Sequence, residues 1–271
     1  MKKYLVSLIV LTIFLTACRA ANTAGNQTGE NAVTGSAISG TASNGTTVSQ
    51  SVLHGRLPDD IPPGAQGEES EDLRPEQQCK PEGWKILDKA KGSYGDEGYR
   101  YLFVIYQSKK PKYDPEMEWE QRERKLTVIK EYRDGNYEVV AENENAVLRE
   151  EEGGVWGDPY ESIKVKNGKF ILTFYGGSGW RWWECYTFRL GEDAVTLMKW
   201  HEEYYHCGIT TGEDEESILQ SEGGVVMDTD YEKGIRERKE NKDGKLKTKT
   251  EEIGKQSIDI GSFNIYDIRG M

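Results

Sequence analysis

Only three of the 271 residues are histidine and four are cysteine, a scarcity that removes much metal and nucleophile chemistry at once. His54 falls in a polar N-terminal stretch, so an imidazole mechanism would depend on His201 or His206. Zinc-protease chemistry needs His-Glu-x-x-His, with both imidazoles one helical turn apart. His201 and His206 are five apart, about 140° round a helix and on opposite sides of a strand. A zinc site from His201, His206 and Cys207 has no second cysteine pair to complete it. Basic residues are also in deficit: 35 Lys and Arg against 47 Asp and Glu give a formal charge of −12. Such a chain repels phosphate backbones and anionic lipids, which excludes nucleic acid as a partner. No apolar run reaches the roughly 20 residues that span a bilayer.

The short apolar run that does exist, Tyr4 to Phe14, follows Lys2 and Lys3 and leads into Leu15-Thr16-Ala17-Cys18. A basic start, a short apolar run and small residues before a cut site describe a secretory signal. Cys18 directly after Leu-Thr-Ala resembles the lipobox of bacterial lipoproteins. The resemblance implies that residues 1–17 are removed and that the Cys18 thiol carries a diacylglyceryl group. The partner is then a membrane, reached through the lipid anchor, with the protein on its extracytoplasmic face; two acyl chains give stable anchoring. Cys79, Cys185 and Cys207 remain. An odd number outside the cytoplasm suggests one pair and one thiol left over. A Cys185–Cys207 bond would close a loop of about 23 residues, worth about 3 kcal/mol; the alternative is three reduced thiols. Cys79 is expected to be free.

From Arg19 to about Gly67 the chain is mostly Ala, Asn, Thr, Gly and Ser. It cannot bury enough apolar area to offset its ordering entropy. A coil of about 50 such residues reaches roughly 40 Å, which suits a tether. The acidic stretch Leu57 to Pro81, with Pro58, Pro62, Pro63 and Pro75, reads as its end. The expected organisation is signal 1–17, lipidated cysteine and tether 18–80, and one folded domain 81–271.

That domain reads as strands and turns. Tyr99 to Tyr106 is dense in aromatic and β-branched residues. Leu126–Tyr132 and Tyr137–Ala141 flank a Gly-bearing turn, and Ser162–Lys166 and Lys169–Tyr175 flank Asn167-Gly168, a strong hairpin signal. Trp180 to Leu190 and Val195 to Trp200 continue the pattern, and Ile235–Lys239 and Lys245–Thr250 surround Lys242-Asp243-Gly244. This last pair reads as an exposed, charge-protected hairpin, with a polyanion site as the alternative. Helical periodicity is confined to Glu116–Lys125 and Glu213–Gln220. The fold expected is all-β or β-dominated, with antiparallel hairpins forming a single sandwich, barrel or partial propeller-like domain.

The densest motifs are Gly153-Gly154-Val155-Trp156-Gly157-Asp158-Pro159-Tyr160 and Gly176-Gly177-Ser178-Gly179-Trp180-Arg181-Trp182-Trp183, with Phe188-Arg189 closing the strand. Together they resemble a family of uncharacterised bacterial lipoproteins and secreted proteins with a "GG-aromatic-GDP-aromatic" turn and a "GGS" loop before Trp-Arg-Trp. Weaker likeness runs on to Asp228–Gly234. Relatives often begin with an Asp-Gly-rich loop similar to the calcium-binding FG-GAP repeats of β-propellers. The matching loop here, Gly92 to Gly98, keeps few acidic ligands. Calcium at Asp228, Asp230 and Glu232 is a further candidate, although Gly234 comes one place late and Lys239 stands where a bidentate Glu is wanted. No other cofactor is expected.

The Gly-rich turns serve structure, since glycine permits positive φ and Asp-Pro fixes a turn. Trp182 and Trp183 must point to opposite faces of a shared strand. A functional alternative is a platform of Trp156, Trp180, Arg181, Trp182 and Trp183 for stacking a sugar or a peptide aromatic. Ser178 lacks the glycine two places later that an esterase elbow needs. The sequence thus points to a lipid-anchored, non-catalytic binding module of the cell envelope, engaging cell-wall glycan or an envelope protein. The alternatives are a hydrolase using carboxylates such as Asp158, Glu161 or Glu184, and a purely structural envelope protein.

Overall fold

Asn167 and Gly168 both take positive φ, 52° and 67°, as a two-residue hairpin loop demands, and Asp243 and Gly244 repeat the geometry at 57° and 66°. The first joins β8 (Tyr160–Lys166) to β9 (Lys169–Gly177), and the second joins β13 (Ile235–Lys242) to β14 (Lys245–Glu252). The structure, a computed structural model, describes residues 54–55, 74–93, 98–115 and 118–270. The signal segment, Cys18, most of the tether and much of the Gly92–Gly98 loop lie outside those residues.

The remaining elements are β1 (His54–Gly55), α1 (Pro75–Gln78), β2 (Trp84–Gly92), β3 (Tyr99–Ser108), β4 (Lys112–Asp114), β5 (Trp119–Gln121), β6 (Arg124–Tyr132) and β7 (Tyr137–Asn143). After β9 come β10 (Trp180–Leu190), β11 (Val195–His206), α2 (Glu215–Gln220) and β12 (Val225–Asp230), and α3 (Ile265–Arg269) follows β14. Every pairing is antiparallel. A five-stranded sheet runs β1-β7-β6-β3-β2, and a seven-stranded sheet runs β14-β13-β12-β11-β10-β9-β8. The fold is β-dominated, as expected.

One core joins the two sheets. Tyr101, Phe103 and Ile105 of β3 share it with Phe170, Leu172 and Phe174 of β9 and Tyr186 and Phe188 of β10. Phe103 stacks on Phe170 at 5.0 Å, Phe170 on Phe188 at 5.2 Å, and Phe263 meets Phe188 edge-on at 5.1 Å. Alternation along β9 sends Phe170, Leu172 and Phe174 inward and Ile171, Thr173 and Tyr175 outward. β3 is buried on both sides, because Leu102, Val104 and Tyr106 form a second cluster on its far face with Trp84, Ile86 and Cys79.

Two expectations change. Arg74–Lys80, assigned to the tether, belongs to the fold: the Tyr106 hydroxyl donates to Glu76 O at 2.8 Å, Tyr137 to Gln78 at 2.9 Å, and Lys89 pairs with buried Glu76. An acidic, proline-bearing stretch carries no apolar signal, yet its backbone and one carboxylate satisfy partners on the sheet. The helix expected at Glu116–Lys125 is absent where described; β5 pairs with β4, and Arg124 opens β6 with its side chain fully buried. The second helix is present as α2, capped by Asp214, which accepts from Ser217 N at 3.0 Å.

Candidate functional site

The Gly153–Tyr160 turn is built around a buried arginine. Arg124 donates from both terminal nitrogens to Asp158, at 2.9 and 2.5 Å, and to Leu148 O at 2.7 Å. Asp158 also accepts from Tyr160 N at 2.9 Å, so the Asp-Pro pair locks the turn onto the five-stranded sheet. Gly153 is obligatory here: a Cβ would lie 2.2 Å from Gly157 O. This clamp presents the Gly154–Trp156 3₁₀ turn beside β9, where Trp156 packs edge-on against Tyr175 at 5.2 Å. Arg181 reaches over the indole at 4.6 Å and donates to Gly177 O at 3.2 Å.

Strand register assembles the rest. Trp183 lies between Tyr175 on β9 and Glu203 on β11, and Arg181 lies opposite Tyr205. The outward face of β9–β11 therefore carries a groove of about 540 Å³ lined by Trp156, Glu161, Tyr175, Trp183, Glu203, Tyr205 and Glu213. Tyr205 shares a 3.4 Å hydroxyl contact with Tyr175 and donates to Glu213 at 3.3 Å. Beside it, His201 sits between Asp228 (2.9 Å) and Glu203 (3.3 Å), with Trp183 edge-on at 5.6 Å. Burial disfavours its charged form, but the bonds to Asp228 and Glu203 outweigh that and raise its pKa to about 9. The His201 ring is thus an imidazolium at neutral pH, and it partly offsets the groove's acids.

The opposite face is different. Trp182 turns inward beneath Arg269, 4.6 Å from its ring, and Gly176 leaves room for it: a Cβ there would meet the indole at 2.4 Å. Trp180 stacks parallel on Tyr204 at 5.1 Å. Glu184, buried, accepts from Arg269 at 2.8 Å and from Tyr186 at 2.8 Å; desolvation still pushes its carboxyl upward. A second cleft of about 550 Å³ opens here between Trp182, Trp200, Glu202, Tyr204, Arg236 and α3.

The five platform candidates thus divide. Trp156, Arg181 and Trp183 meet at the outward groove, and Trp180 and Trp182 stand on the other face. The candidate acids separate too: Asp158 holds Arg124, Glu184 holds Arg269, and Glu161 lines the groove. Glu203, Tyr175, Tyr205 and Glu213 were not singled out by motif, but strand parity marks the first three once register is known. The Cys185–Cys207 pairing is corrected. Cys185 stands opposite His201, whereas Cys207 N donates to O of Gly179, which lies just ahead of β10 and six residues before Cys185. That is about 20 Å of strand, and a disulfide needs Cα atoms within about 7 Å. Cys79, Cys185 and Cys207 are all free thiols. The acids weighed for calcium have separate partners: Asp228 binds His201, Asp230 binds Lys233, and Glu232 pairs with Arg189. No group of three or more metal-ligating side chains gathers among the described residues. Comparison with protein-family models, curated proteins and solved structures found no match to this chain.

Proposed function

We propose that this chain is a lipid-anchored, extracytoplasmic protein of a bacterial cell envelope, and that its β-domain is a non-catalytic module binding cell-wall glycan in the outward groove. Attachment rests on the leader and Cys18; glycan binding rests on the groove. Trp156, Tyr175 and Trp183 supply aromatic surface, the buried Tyr205 forms the floor, and Glu161, Glu203 and Glu213 supply acceptors beside it. Sugar rings present apolar C–H faces to aromatic rings and hydroxyl donors to carboxylates, and the volume lies in the range of small-ligand sites. The rigid sheet orients these groups before a ligand arrives, which lowers the entropy cost of binding.

The test is a melting-temperature screen of the full-length protein with peptidoglycan fragments, neutral glycans, calcium and zinc. A ligand at 100 times its Kd stabilises by about 2.7 kcal/mol, which a melting curve resolves. A rise with glycan that disappears in Trp183→Ala supports the reading. A flat response to every glycan contradicts it.

A further inference from the structure

The β13–β14 hairpin carries its charges asymmetrically. Unbroken pairing from Lys242↔Lys245 to Ile235↔Glu252 fixes which residues share a face. One face holds Arg236, Arg238, Lys242, Lys245, Lys247 and Lys249 against only Glu240 and Glu251; the other holds Glu237, Glu252 and Lys239. Lysines that merely protect an edge strand need no such segregation. Every residue of β14 is exposed. Lys242, Lys245 and Lys247 make no ion pair among the described residues; the Glu222 carboxylate accepts from Asp243 N and Gly244 N at the hairpin tip and offsets part of the Lys242 and Lys247 charge. This basic patch stands out in a chain of formal charge −12.

Its location adds a second feature. Register carries the basic face across β12 to β11, through Arg238↔Met227↔Glu202 and Glu240↔Val225↔Tyr204. The face therefore leads to the inner cleft, where Arg236 and Arg269 stand among Glu184, Glu202 and Asp267 beside the Trp182 and Tyr204 rings.

We propose that this surface docks a linear acidic polysaccharide, its carboxylate groups along the Lys245, Lys247 and Lys249 row and one sugar unit in the cleft. Side chains two apart on a strand recur at about 7 Å, which gives an extended polymer regular contacts. Along the exposed Lys245, Lys247 and Lys249 row, charge complementarity selects an anion; the cleft contributes its rings. The continuation into a ring-walled cleft favours a glycan over a lipid surface, whose headgroup layer cannot enter it. This site is independent of the outward groove.

The experiment measures affinity of the full-length protein for polygalacturonate, with polyphosphate and phosphatidylglycerol vesicles as competing probes. Binding to polygalacturonate at 50 mM salt should weaken about tenfold at 300 mM, because exposed charge pairs are screened. K247T/K249T should weaken it about fivefold, whereas T248E/T250E, matched in net charge on the opposite face, should stay within twofold. All four positions are exposed, so a melting curve should show both variants folded. Trp183→Ala should leave this affinity unchanged even if it abolishes binding in the groove. Absent binding to polygalacturonate, tighter binding to polyphosphate or vesicles, or equal losses in the two double variants would overturn the proposal.

Discussion

Trp182 and Trp183 adjoin in the chain and belong to different environments. Trp182 lies over Gly176 and under Arg269, next to the shared core, and Trp183 opens onto the groove between Tyr175 and Glu203. One face of β10 and β11 joins the sheets together, and the other displays rings and carboxylates. The lesson is that a Trp-rich motif combines two roles, and strand parity separates them.

Substitutions should sharpen that contrast. Trp182→Ala should cost about 3 kcal/mol, because it empties space beside the core and removes the ring under Arg269, whereas Trp183→Ala should cost under about 1 kcal/mol. Urea unfolding measures both, and equal losses would erase the distinction between the faces. Next, Asp158→Ala should destabilise by about 2 kcal/mol. It leaves buried Arg124 without its carboxylate, and partial exposure of Asp158 keeps the loss below the roughly 3–5 kcal/mol of fully buried pairs. The same variant should loosen Trp156, read as a change in its fluorescence.

A smaller effect concerns pH. The folded pKa of His201, about 9, lies above its ordinary value of 6.5. Its contribution is therefore fully present below about pH 6.5 and lost as pH rises through about 9. Stability should decline across that window, and His201→Gln should flatten the decline. The smallest expected effect is that of reductant: with all three thiols free, dithiothreitol should leave the melting temperature unchanged.

The hairpins were legible because local chemistry dictates them: Asn167-Gly168 and Asp243-Gly244 need only their own backbones to turn. The inward set Phe170, Leu172 and Phe174 was legible from alternation for the same reason. The groove was half legible. Trp156 and Trp183 are conspicuous residues, but Tyr175, Glu203 and Tyr205 join them only through a register between distant strands. Glu213 comes from the segment before α2, which no strand rule places. The Arg124–Asp158 clamp was hidden because it spans 34 residues, and a charged residue in a run of Glu, Arg and Lys gives no sign that it will be buried. The disulfide expectation failed on the same ground, since spacing cannot reveal that β10 and β11 stay paired from Trp180 to Leu190.

The most direct test of the central claim is a calorimetric titration of the full-length protein with the N-acetylglucosamine–N-acetylmuramic acid disaccharide. Wild type, Trp183→Ala and Glu203→Gln would be compared. The groove predicts saturable binding by the wild type, its loss in Trp183→Ala and clear weakening in Glu203→Gln, with all three proteins folded. Undiminished binding by folded Trp183→Ala, or no heat from the wild type at millimolar disaccharide, would contradict it.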